Sequence, residues 1–119
     1  MKETSSICIR NGDIYIAVLP DDADGSLQSG IRPVIIVSNN LANRHSPVVT
    51  VVPMTGQANK KKLPIHIVLN GCGLEKESIV LAEQIMSINK ISLRRKLGSI
   101  TETAYQEKLK RAIEIQLGL

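Results

Sequence analysis

Short runs rich in β-branched residues follow one another along most of the chain, and no segment of helical period separates them. Parallel strands need long crossover connections, usually helices, so this order favours antiparallel pairing. The runs cover residues 14–19, 32–38, 47–54, 63–70 and 78–88, the last long enough for one strand or two. The pattern predicts a small, strongly bent sheet that closes partly into a barrel.

The period changes in the last part of the chain. Thr101 is a plausible N-cap, because its hydroxyl could accept from a free N–H of a first helical turn. Beyond it, one helical face carries Tyr105, Leu109, Ala112, Ile113 and Gln116. Residues 39–45 are expected to form a turn or one helical turn, and residues 89–98 an irregular or briefly helical stretch. The predicted fold is therefore mainly β with α: five to seven mostly antiparallel strands and a C-terminal helix, in a single domain over residues 1–119.

The composition allows a core but limits its chemistry. A chain of 119 residues can bury enough surface to fold without a metal or a disulfide. It has no Trp or Phe, so Val, Ile and Leu must fill the core. Cys8 and Cys72 match no metal motif and are expected to be reduced thiols. The start, MKETSSICIR, resembles no signal peptide, and no run of about 18 apolar residues predicts a membrane span. We therefore expect a cytoplasmic protein.

Motifs of the common enzyme classes are missing from the sequence. There is no GxSxG, CxxC, HExxH or glycine-rich phosphate loop. His45 and His66 have no ligand cluster beside them, so both are interpreted as structural or surface histidines. No metal and no cofactor are expected.

The chain is basic, with a formal net charge of +4 and a pI near 9.3. Such a charge permits a nucleic-acid partner without requiring one. The basic residues cluster at 60–62 and 94–96. From the sequence, a solvated loop and a solvated turn are the favoured explanation of the two clusters.

Arg32 stands directly before the apolar run 34–37, at the end of a long loop. If the strands 32–38 and 47–54 pair in antiparallel fashion, Arg32 and Thr55 meet at one edge of the sheet. A guanidinium beside a hydroxyl, with Ser26 and Gln28 nearby, suits a phosphate or another planar anion. The alternative is an ion pair between Arg32 and the loop acids Asp21, Asp22 and Asp24.

The string GDIYIAVL…GSLQSGIRPVIIVSNN…VTVVPMT…LPIHIVL…SIVLAEQI resembles the MazF/PemK family of toxin endoribonucleases. Matching segments run in the expected order from about residue 12 to residue 88. The resemblance implies an SH3-like barrel, a homodimer, and cleavage of single-stranded RNA without a metal. In that reaction the ribose 2′-hydroxyl attacks the adjacent phosphorus and leaves a 2′,3′-cyclic phosphate and a 5′-hydroxyl. It also implies a cognate antitoxin, expected to have an acidic, disordered tail.

The resemblance assigns roles to individual residues. Arg32 and Thr55 correspond to the catalytic pair. RNA-binding positions are expected in the AEQI segment and in two long loops, the first at residues 20–30 and the second at residues 55–62. They are Ser26, Gln28, Gln57, Lys60, Lys61 and Gln84. Some members place an Arg and an acid after E-Q-[IV], whereas this chain has Met86 and Asn89 in that region.

Two other functions remain open from the sequence. A barrel of the same kind could be a non-enzymatic, CcdB-like toxin that binds gyrase, since fold does not fix function. A non-catalytic RNA-binding barrel is the third possibility, although such readers usually stack bases on aromatic side chains.

Overall fold

The structure is a computed structural model that describes residues 8–56, 63 and 65–119. Its seven strands pair only in antiparallel fashion, in the order β4-β5-β3-β2-β1-β7, while β6 pairs with the first half of β3. The strands are β1 (Asp13–Leu19), β2 (Gly30–Ile36), β3 (Val48–Thr55), β4 (Ile67–Leu69), β5 (Ser78–Val80), β6 (Met86–Asn89) and β7 (Leu93–Ser99). The predicted mainly β, partly open barrel with a C-terminal helix is confirmed.

Apolar clusters cover both faces of the sheet, and neighbouring residues of one strand belong to different clusters. Ile14 of β1 lies in the cluster that α2 (Ala104–Leu117) covers, and Tyr15 lies in the other. This alternation follows from the period of two along a strand. As the composition requires, Val, Ile and Leu make up most of both clusters. Burial raises the pKa of Tyr15 above its ordinary value, with smaller contributions from Asp13 and Cys8.

Each of the two α-helices in the described residues has a side-chain cap at its first turn. In α1 (Asn40–His45) the Asn39 side chain accepts from the N–H of Ala42 at 2.8 Å. In α2 the cap is Thr103, whose hydroxyl accepts from the N–H of Tyr105 at 3.2 Å. No helix in the described part of the chain is long and apolar enough to cross a membrane.

The prediction of Thr101 as the N-cap is wrong by two residues. The Thr101 hydroxyl contacts the Ser99 hydroxyl at 2.8 Å, and Glu102 follows with a left-handed φ of 64°. A helix cannot pass through that conformation, so it starts after Thr103. The predicted buried face holds at Leu109 and Ala112, but Gln116 is exposed.

The sequence predicted an irregular or briefly helical stretch over residues 89–98, but only its first part is briefly helical and the rest is a strand. A 3₁₀ turn at Lys90–Ser92 leads into β7, which pairs with β1. The three consecutive basic residues of β7 are exposed, and they hide the alternation that marks a strand. The run 78–88 is divided into β5 and the start of β6 by a second 3₁₀ turn, Ala82–Gln84, called here the AEQ turn.

Candidate functional site

Arg32 and Thr55 lie at the same end of neighbouring strands. β2 and β3 pair in antiparallel fashion from Val34–Pro53 to Ile36–Val51, and Arg32 and Thr55 each lie two residues beyond the Val34–Pro53 pair. Thr55 is only 2% exposed and also pairs with Ile79 of β5. Arg32 is half-buried. The strand pairing that the sequence analysis assumed is therefore present.

The loop end that precedes β2 orients Arg32. Gly30, the first residue of β2, has a φ of 74°, a value that L side chains rarely adopt, and it allows the chain to turn as it enters the strand. The Arg32 Nε donates to the carbonyl of Ser29 at 3.1 Å. That bond uses one guanidinium donor and leaves the terminal nitrogens for a ligand.

The acids of the first long loop do not pair with Arg32 among the described residues. Asp22 instead stabilises its own loop, since its carboxylate accepts from the N–H of Leu27 at 2.6 Å and of Asp24 at 3.4 Å. The ion-pair alternative for Arg32 is therefore not what the described structure contains.

A cavity of about 450 Å³ lies beside Arg32. The turn after β4, the end of β3 and strand β7 complete its wall. Its lining includes two further cations, Lys76 and Arg95. Sequence reasoning missed Lys76, and it counted Arg95 only within a basic cluster that a solvated turn could explain.

Gln84 holds the first long loop through its side chain. Its Oε1 accepts from the N–H of Gln28 at 2.8 Å, and its Nε2 donates to the carbonyl of Ser26 at 3.3 Å. Gln84 is 8% exposed. The structure thus joins three of the predicted RNA-binding positions, with the amide of Gln84 engaged by loop backbone. The Gln28 Oε1 is buried and lacks a hydrogen-bond partner in the described part of the chain.

The second long loop falls mostly outside the described residues, and with it the predicted positions Gln57, Lys60 and Lys61. Near its end, His66 Nδ1 accepts from the N–H of Leu63 at 3.0 Å. With Nδ1 accepting, the Nε2–H donates to the Glu83 carboxylate at 2.9 Å. Glu83 and Gln84 are neighbours, and the AEQ turn therefore contacts both loops.

The two histidines have the roles that the sequence predicted. The His66 side chain is 1% exposed and fully bonded, which makes it structural. His45 ends α1 and is exposed. Within residues 8–56, 63 and 65–119, no group of three His, Cys, Asp or Glu side chains could hold a metal ion. Both cysteines are free thiols.

The family model of the PemK-like, MazF-like toxins of type II toxin–antitoxin systems matches residues 10–117. The chain belongs to this family. It is 41% identical over 113 residues to the endoribonuclease MazF of Staphylococcus saprophyticus subsp. saprophyticus, which covers 93% of this chain and 92% of that protein. The resemblance found in the sequence is therefore confirmed.

Solved structures agree with the family assignment. An endoribonuclease from a mycobacterial species superposes with a TM-score of 0.74 at 27% identity, over 95% of this chain and 94% of the other. A second mycobacterial endoribonuclease, solved in complex with its cognate antitoxin, gives a TM-score of 0.70 at 29% identity, over 94% and 95% of the two chains.

Proposed function

We propose that this PemK-like, MazF-like protein is the toxin of a type II toxin–antitoxin system and a sequence-specific endoribonuclease acting on single-stranded RNA, chiefly mRNA. The observation that carries the proposal is the antiparallel pairing of β2 with β3, which brings Arg32 and Thr55 to the same end of neighbouring strands, with Arg32 in the lining of a cavity rich in cations. The identity with an endoribonuclease over most of both chains supports it. A gyrase-binding toxin would not need this pair of side chains.

The reaction is a transesterification within the RNA. The 2′-oxygen bonds to the adjacent phosphorus as it loses its proton, and the bond from phosphorus to the 5′-oxygen breaks as that oxygen takes up a proton. The products are a 2′,3′-cyclic phosphate and a 5′-hydroxyl. No water attacks in this step, so no metal-activated water is needed, and the proposed mechanism is metal-independent.

Arg32 stabilises the charge that builds up on the phosphate oxygens. A guanidinium offers only N–H donors, so it is a poor acceptor for the 2′-hydroxyl proton. A cation held in place before the reaction stabilises the transition state without reorganising. The bond from Nε to the Ser29 carbonyl provides that orientation. Thr55, buried at the end of β3, hydrogen-bonds a phosphate oxygen.

The first long loop contributes the contacts that select the RNA sequence. Ser26 is exposed at its tip, and Gln28 follows where Gln84 holds the backbone. Gln57, Lys60 and Lys61 extend the basic surface from the second loop. In this assignment Gln84 acts on RNA through the loop that it positions, and not by direct contact.

The proposed partners follow from the activity. An enzyme that cuts mRNA needs an inhibitor in the cytoplasm where it acts, and a mycobacterial relative has been solved with its cognate antitoxin. We propose an antitoxin with an acidic, disordered tail that folds on the basic site as it binds. The functional unit is a homodimer.

The test is cleavage of total RNA by the purified protein in EDTA, followed by mapping of the new ends. We expect cuts at one short sequence, with cyclic phosphate and 5′-hydroxyl termini. Products with 3′-hydroxyl and 5′-phosphate ends would rule out the mechanism. Intact RNA together with inhibition of gyrase would favour the non-enzymatic alternative.

A further inference from the structure

The turn between β4 and β5 is held against β7 by contact between two glycines. A Cβ added at Gly73 would lie 1.9 Å from the carbonyl oxygen of Leu97, and one at Gly98 would lie 2.0 Å from that of Cys72. Gly73 also has a φ of 95°. Since backbone meets backbone directly, the position of this turn relative to β7 is fixed.

This contact brings Lys76 of the turn and Arg95 of β7 to one cavity. Both line the same 450 Å³ space as Arg32. The Cε of Lys76 is 3.4 Å from the place that a Cβ would take at Gly56, the residue directly after Thr55. The ammonium stem of Lys76 therefore extends to the end of β3, where the catalytic pair is proposed.

The charges around this cavity are unbalanced. Three cations and one exposed acid, Glu75, contribute to its lining. Among the described residues, Arg32, Lys76 and Arg95 form no ion pair. Like charges around one space repel, and an anion in that space removes the repulsion. The cavity is therefore suited to a ligand with several negative charges.

We propose that Lys76 and Arg95 bind phosphates of the RNA backbone next to the one that is cut. The inference rests on the proposed ribonuclease function and adds two substrate-binding residues to it. A single strand presents a phosphate at every nucleotide, so a strand whose scissile phosphate lies at Arg32 brings its neighbours to the rest of the cavity. The forked guanidinium of Arg95 can hold one of them through two parallel hydrogen bonds.

The experiment measures the affinity of each variant for a 2′-O-methyl RNA of mixed sequence between 50 and 200 mM salt. This probe cannot be cleaved through a 2′-hydroxyl. Lys76→Gln and Arg95→Gln are compared with two controls, Arg94→Gln and Lys110→Gln. Arg94 adjoins Arg95 but bonds the carbonyl of Ile91 and does not line the cavity. Lys110 lines a separate cavity between α2 and the sheet.

For single strands, the slope of log affinity against log salt is about −0.7 per neutralised phosphate. We expect each test variant to reduce its magnitude by about 0.7 and both controls to retain the wild-type slope. On cleavable RNA, the test variants should raise KM and leave kcat unchanged, because the contact is the same in substrate and transition state.

Equal slopes for test and control variants would overturn this inference while leaving the ribonuclease assignment intact. The inference would also be overturned if the test variants bound polyglutamate more weakly than the wild type but bound RNA equally well. That result would assign the two cations to an acidic peptide. Failure of the wild type to cut any RNA would count against the proposed function, and the slopes would still be measurable.

Discussion

The backbone N–H of Gln28 donates to the side-chain oxygen of Gln84, 56 residues further along the chain, at 2.8 Å. A second bond, from the Gln84 amide to the Ser26 carbonyl, runs in the other direction. The buried Gln84 side chain thus forms hydrogen bonds with one backbone donor and one backbone acceptor of the first long loop. The conformation of that loop depends on a residue outside it.

Replacing Gln84 should loosen the loop and weaken RNA binding. Gln84→Ala removes both bonds, each worth about 0.5–1.5 kcal/mol net. Gln84→Glu keeps an acceptor for the Gln28 N–H but cannot donate to the Ser26 carbonyl, so it tests that second bond separately. Amide hydrogen exchange at residues 26–28 is the measurement. Unchanged exchange in Gln84→Ala would contradict the anchoring role.

Replacing Arg32 should slow cleavage without unfolding the protein. Loss of one donor that stabilises transition-state charge typically costs about 10²–10³ in rate. Arg32 is half-buried and contributes no apolar core contact, so Arg32→Ala should melt near the wild-type temperature. Single-turnover cleavage rates and thermal melts check the two parts. Wild-type cleavage by a folded Arg32→Ala protein would refute its catalytic role.

A methyl group at Gly98 should destabilise the protein. The new Cβ would lie 2.0 Å from a carbonyl oxygen of Cys72, which is backbone and cannot rotate away. Overpacking typically costs about 1–3 kcal/mol, and we expect Gly98→Ala to be near the upper end in urea unfolding. Gly56→Ala is the matched control, since its Cβ would meet only the flexible end of Lys76. Equal stability of the two variants would show that the turn between β4 and β5 can move away from β7 at little cost in free energy.

The protein should form a homodimer at micromolar concentration. Val18 and Val48 are more than one-third exposed and line one surface hollow, and Ile91 in the adjoining 3₁₀ turn is 76% exposed. Light scattering should give twice the chain mass of 13.0 kDa. Val48→Asp should shift the mass towards the monomer, whereas Ile115→Asp on α2 should not. A wild-type species of 13.0 kDa would argue against dimerisation.

The antitoxin should compete with RNA for the same surface. An acidic tail and an RNA strand both require the cations beside Arg32, so each should displace the other in a titration with uncleavable RNA. RNA releases its condensed counterions when the protein binds. Raising the salt concentration opposes that release and should therefore weaken RNA binding steeply. A ternary complex, with both ligands bound at their separate affinities, would exclude competition.

The sequence predicted most strands because their β-branched residues alternate or run together. It did not predict β7, which forms a strand by pairing with β1. Its three consecutive exposed residues, Arg94, Arg95 and Lys96, interrupt the alternation of buried and exposed side chains by which a strand is recognised. That Arg32 and Thr55 lie at the same end of neighbouring strands was predictable from the order of consecutive strands. Lys76 was not, because its place beside Gly56 depends on a contact between glycines in distant segments.

The contact between Gly73 and Gly98 uses no side chains, while Lys76 and Arg95 project from the elements that it joins. The shape of the cavity and its charge are therefore encoded at different positions. Substitutions at the two cations can change how strongly a polyanion is held without altering the walls around it. Relatives with the same backbone could in this way differ in the ionic strength at which they act.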